Sequence, residues 1–138
     1  MNLERCFEEG LLRKATLPGD AVDKEIANAR RHLDNARRCI DAGMDDLAVV
    51  SAYTAMFHAA RALLYKDGIK ERSHVCVVAY LRERYPKLAD HANILDGYRK
   101  GRHTVLYGID EEDSSEDARQ GAESAAKFIK AIEETLGA

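Results

Sequence analysis

Between residues 45 and 66 the chain reads DDLAVVSAYTAMFHAARALLYK. From Leu47 to Leu64 small or apolar residues stand on nearly every side of a 100° wheel, the pattern of a helix buried all round rather than on one face. Its length raises the question of a membrane span, but Ser51, Thr54, His58 and Arg61 interrupt the apolar run. A charge in the span with no second span to pair it points to the central helix of a soluble domain, with no membrane as partner. A buried guanidinium needs a counter-charge. Arg61 is therefore expected to pair with a carboxylate or to cap helix carbonyls, and His58 to be a hydrogen-bonded core residue.

Working outward, the preceding helix places Val22, Ile26, Ala29, Leu33, Ala36 and Ile40 in steps of four and three, with Arg30, Arg31, Arg37 and Arg38 mostly on the other side. Gly43 closes it and Asp20 is available as its N-cap. Before Pro18-Gly19, a short amphipathic helix is expected over Leu3 to Lys14. Downstream, Asp67-Gly68 breaks the central helix, and Ser73 N-caps a fourth helix through Val75, Val78, Leu81 and Tyr85, stopped by Pro86. A fifth helix lies between Lys87 and Tyr107, interrupted by Gly97 and Gly101, and Gly108 with the acidic run Asp110 to Asp113 forms a solvated loop. The last helix starts at Ser114 or Ser115, where Ser114-x-x-Asp117 approximates a capping box, and carries a stripe of Ala118, Ala122, Ala125, Ile129, Ile132 and Leu136. No run alternates with period two, so no strand is expected. The reading is all-α: one domain over residues 1–138, an antiparallel up-and-down four-helix bundle with one or two additional short helices.

The 138 residues hold 21 Lys and Arg against 24 Asp and Glu, a net charge of −3. That balance excludes a globally basic nucleic-acid binder but not a local patch. Residues 61–103 carry ten basic and five acidic side chains, whereas residues 104–138 carry three and nine. The three cysteines, at 6, 39 and 76, show no paired spacing, and acidic residues stand where an export signal needs an apolar core. Reduced thiols in the cytoplasm are expected. No phosphate-binding glycine loop, nucleophile elbow or paired-ligand zinc spacing occurs, so neither a cofactor nor a metal is implied.

The informative stretch is Gly97-Tyr98-Arg99-Lys100-Gly101-Arg102-His103-Thr104-Val105-Leu106-Tyr107. On a helix Arg99, His103 and Tyr107 share a stripe, and Arg102 lies roughly 40–60° off it. Guanidinium, imidazole and phenol on one side suit a phosphate: Arg binds it in two-pronged fashion, His moves a proton near neutrality, and Tyr donates a hydrogen bond or stacks on a base. The other reading is a solvated helix end with Tyr107 in the core.

Together the strings Leu11-Leu12-Arg13-Lys14, Ala52-Tyr53-Thr54-Ala55-Met56-Phe57-His58-Ala59-Ala60-Arg61-Ala62-Leu63-Leu64, Ser73-His74, and Arg102 with Tyr107 resemble a HEPN domain of the small stand-alone prokaryotic branch, over nearly the whole chain. The resemblance implies a helical-bundle homodimer, partnered by a minimal nucleotidyltransferase antitoxin, acting on RNA or nucleotide as a metal-independent endoribonuclease through an Arg-x4-6-His motif. Arg102 matches the arginine, but the histidine position is Tyr107, and a phenol with an ordinary pKa of about 10 is a poor base at neutral pH. His103 directly follows Arg102 and does not match the motif's spacing. The implied catalytic group is Arg102, His103 and Tyr107, with Arg99, Lys100, Arg102 and Tyr107 binding nucleotide or RNA. The alternative is a non-catalytic nucleotide- or partner-binding module.

Overall fold

The computed structural model describes residues 1–107 and 113–137, and for 102–107 the helical backbone alone. In chain order the elements are α1 (Leu3–Glu8), β1 (Leu12–Lys14), α2 (Ala21–Asp41), α3 (Asp45–Lys66), β2 (Ile69–Glu71), α4 (His74–Arg84), α5 (Ala89–Tyr107) and α6 (Ser115–Gly137). Helices α2, α3, α5 and α6 make the bundle. α3 is its centre: Ala48, Ala52, Ala55, Ala59, Ala60, Ala62, Leu63 and Leu64 are wholly buried. It is long and apolar enough to cross a membrane by length and composition, yet 67% of that window is packed inside the bundle. Small residues let its neighbours approach closely. A methyl group placed on Gly121 of α6 would lie 3.5 Å from Ala52 of α3 and 3.6 Å from the Tyr98 ring of α5, so both border Gly121.

Helix ends follow local chemistry. Gly43 and Gly68 take φ of +73° and +72° just past α2 and α3, where the left-handed backbone suits glycine. Ser73 caps α4 by accepting from the Cys76 amide. Ser114 and Asp117 cap α6 reciprocally, each side chain accepting from the other's amide. Asp20 occupies the N-cap position of α2, but its side chain makes no cap bond and pairs instead with Lys24 at 3.1 Å.

Three expectations are corrected. The first helix stops at Glu8, and Leu12–Lys14 instead pairs antiparallel with Ile69–Glu71, with Leu12 opposite Glu71 and Lys14 opposite Ile69. Three-residue strands 55 residues apart are too short to show a period of two and carry no hairpin turn between them. Their pairing buries Leu12 and Ile69. Second, Cys6 of α1 and Cys76 of α4 form a disulfide across 70 residues, leaving Cys39 as the free thiol. Partners that far apart leave no trace in local spacing. Third, Gly97 and Gly101 do not interrupt the fifth helix: α5 runs unbroken from Ala89 to Tyr107. The helical ladder tolerates them, at about 1 kcal/mol each relative to alanine. The expected loop over Gly108 and Asp110 to Glu112 lies outside the described residues.

Candidate functional site

Helix α5 follows a turn at Pro86–Leu88, across which Arg82 of α4 meets Asn93 and Asp96. Its inward face begins apolar, with Leu88, Ala92 and Leu95 buried in the core. The step of four continues from Leu95 to the partly buried Arg99, so the face that packs the bundle at one end of α5 turns cationic there. Arg99 Nε donates to Asp96 Oδ1 at 2.9 Å, Lys100 Nζ stands 3.3 Å from Asp96 Oδ2, and Arg82 of α4 reaches the same oxygen at 3.7 Å. Burial works to raise the Asp96 carboxyl, but hydrogen bonds from Arg99 and Lys100 and their charges outweigh it and hold the group below the ordinary carboxylate range. Three cations thus share one anion, and the surplus positive charge is available to a phosphate. Of the expected site residues, Arg99 and Lys100 are brought together around Asp96. Arg102, His103 and Tyr107 follow on the α5 backbone, and their side chains lie outside the described residues.

His74, the first residue of α4, is hydrogen-bonded through Nδ1 to the Tyr53 hydroxyl of α3 and stacks on the Phe57 ring, with centroids 3.9 Å apart. In the sequence Tyr53 and Phe57 stand in one string and His74 in another. That they meet depends on how α4 packs on α3.

The HEPN domain family profile matches residues 22–135. The chain belongs to the HEPN family. The crystal structure of an archaeal HEPN homologue superposes with a TM-score of 0.67 at 22% sequence identity, covering 83% of this chain and 97% of that one, which shows a shared fold. No curated protein matches the sequence.

Within this HEPN domain the residues of the central motif divide by role. Arg61 is paired as expected: its Nε lies 3.0 Å from Glu71 Oε1, and its Nη1 3.5 Å from Glu25 Oε2. His58 Nδ1 is 2.8 Å from the same Glu25 oxygen, and its ring stacks parallel to that of His32. Burial alone would raise the Glu25 carboxyl, yet the bond and charge of His58 and the charge of Arg61 keep it below its ordinary value. This network ties α2, α3 and β2 together. A separate groove of about 420 Å3 between α5 and α6 borders Gly97, Gly101, Tyr98 and Gln120, over Val49. At ~100° per residue Gly97 and Arg99 face roughly 160° apart, so this groove and the cationic face lie on opposite sides of the HEPN domain's α5.

Proposed function

We propose that this HEPN protein is the toxin-like component of a HEPN/minimal-nucleotidyltransferase pair, a cytoplasmic homodimer that engages RNA or nucleotide phosphate at the cationic end of α5 and cleaves RNA weakly without metal. The observation that carries the reading is the gathering of Arg82, Arg99 and Lys100 around the single Asp96 carboxylate. Three cations around one anion leave positive charge that a phosphate can offset. Arg99, Lys100 and Arg102 bind the phosphate, Tyr107 stacks or donates, and His103 is the nearby imidazole on the same helix. Two-fold pairing doubles one modest patch into a site spanning neighbouring phosphates. The cytoplasmic setting carries the condition that the fully buried Cys6–Cys76 bridge resist a reducing thiol pool.

The test is fluorescence anisotropy with a labelled single-stranded RNA, across a salt series, alongside sedimentation velocity. Arg102→Ala is expected to weaken binding at least tenfold and to lower the slope of log affinity against log salt by about 0.7, one phosphate contact on a single strand. Unchanged affinity and slope, or a strict monomer at micromolar concentration, overturns the reading.

A further inference from the structure

The two short strands carry a charge pattern that packing of the bundle does not account for. Side chains alternate faces along a strand, and the buried Leu12 and Ile69 fix which face packs on the core. Glu71, opposite Leu12, shares that face and is spent on Arg61 of α3 at 3.0 and 3.3 Å. Arg13 and Lys70 therefore stand on the other face, directly opposite each other, with Cβ atoms about 5 Å apart. The Arg72 amide donates to the Leu11 carbonyl at 2.8 Å. That bond extends the ladder by one pair and puts Arg72 on the Lys70 face, about 6–7 Å further along. Arg13 and Arg72 are exposed and Lys70 is half-buried, and none of the three makes an ion pair or a side-chain hydrogen bond with another described residue. Nearby carboxylates are committed elsewhere: Asp67 accepts from the Tyr80 and Tyr85 hydroxyls, each at 2.7 Å, and Glu9 pairs with Arg5 at 3.0 Å. Like charges directly opposite each other destabilise a strand pair. One charge would suffice to guard a short edge against stray pairing, so three of one sign point to an anion brought from outside.

We propose that the outer face of this strand pair, with Arg13, Lys70 and Arg72, docks the phosphate backbone of single-stranded RNA. The surface is additional to the cationic end of α5 and shares no residue with it. A stable protein interface has an apolar centre, and no exposed large apolar side chain lies on either strand. Charge without apolar surface suits a ligand that is itself a row of charges. The separation of Lys70 and Arg72 is close to the step between neighbouring phosphates of an extended strand. Arg13 and Arg72 can each grip two oxygens of one phosphate, and Lys70 acts as a point charge. Neither strand carries an aromatic residue to stack on a base, so the contact reads charge and not sequence. The face is also held in place before RNA arrives. The Cys6–Cys76 bridge joins α1 and α4, the helices that flank the two strands, so Arg13 and Lys70 are kept opposite each other at little entropic cost on binding.

The experiment is fluorescence anisotropy with a labelled single-stranded RNA across a salt series, on the full-length wild type and on a variant combining Arg13→Gln, Lys70→Gln and Arg72→Gln. Three lost phosphate contacts are expected to lower the slope of log affinity against log salt by about 2 and to weaken binding at least tenfold at about 0.1 M salt. The urea midpoint of the variant is expected to equal or exceed that of the wild type, because cross-strand repulsion is relieved, so lost binding reports a lost contact and not a lost fold. A slope and affinity equal to wild type overturn the inference and leave the α5 site standing, since Arg102→Ala reads that site separately. Absence of RNA binding by the wild type brings down both. If the variant folds poorly, the wild type decides: on titration with RNA the amides of residues 12–14 and 69–72 are expected to shift, and to return as salt is raised. Stationary amides there overturn the inference. So does a poly-glutamate chain that shifts them at a lower concentration of charge than RNA does, which assigns the face to an acidic protein instead.

Discussion

Replacing Arg61 by alanine tests whether the central helix is held by its charge as well as by its apolar surface. The guanidinium makes a two-pronged contact to Glu71, at 3.0 and 3.3 Å, stands 3.5 Å from Glu25, and lies 4.8 Å from the centre of the Phe57 ring. Both carboxylates are about 10% exposed or less. Glu25 keeps His58 and Asn28 after the substitution, so Glu71 is the group left charged and poorly solvated. Removing one member of a buried pair costs about 3–5 kcal/mol, and Arg61 is 24% exposed, so the lower end, about 3 kcal/mol, is expected. With a urea m-value of about 2 kcal/mol per M, the unfolding midpoint falls by about 1.5 M. Adding Glu71→Gln to Arg61→Ala is expected to recover part of the loss, because the orphaned charge disappears with it. A midpoint for Arg61→Ala within about 0.3 M of wild type, or a double variant weaker than the single one, refutes the reasoning.

Acid is expected to destabilise the protein in two stages. Burial, with the charges of His58 and Arg31, depresses His32, so its stabilisation is complete above the ordinary value of 6.5 and is lost as pH falls through its lower folded value. Glu25, held below 4.5, adds a second loss under that pH, so urea midpoints from pH 7.5 to 3.5 should fall less in His32→Gln over the first stage and less in Glu25→Gln over the second. The Cys6–Cys76 bridge closes a 70-residue separation, so Cys76→Ser, or reduction of the wild type, is expected to lower stability by about 2–4 kcal/mol. A melting temperature indifferent to a phosphine reductant sinks that expectation.

The helices were legible where one residue's neighbours along the chain decide its state. The all-round apolar run at Leu47–Leu64 marks α3 as the core whatever packs on it, and the reciprocal bonds of Ser114 and Asp117 need residues only three apart. Glycine was the misleading local signal: Gly97 and Gly101 lower helix propensity, but the ladder and the packing of Ala92 and Leu95 carry α5 through them. The need for a partner at Arg61 followed from its apolar surroundings, while the choice of Glu71 and Glu25 did not, because β2 and α2 reach it only in the folded chain.

The sequence by itself determined most of the helical segments, the caps at Ser73 and Ser114, the central helix and the cationic stretch from Arg99 to Arg102, all properties of residues within a turn or two of each other. Tertiary structure alone decided the pairing of Leu12–Lys14 with Ile69–Glu71, the union of Cys6 with Cys76, and the seating of His74 on Tyr53 and Phe57. Each of those joins residues 17 to 70 positions apart, brought together by which faces α1, α3 and α4 bury, and no local period or spacing records a contact that only packing creates.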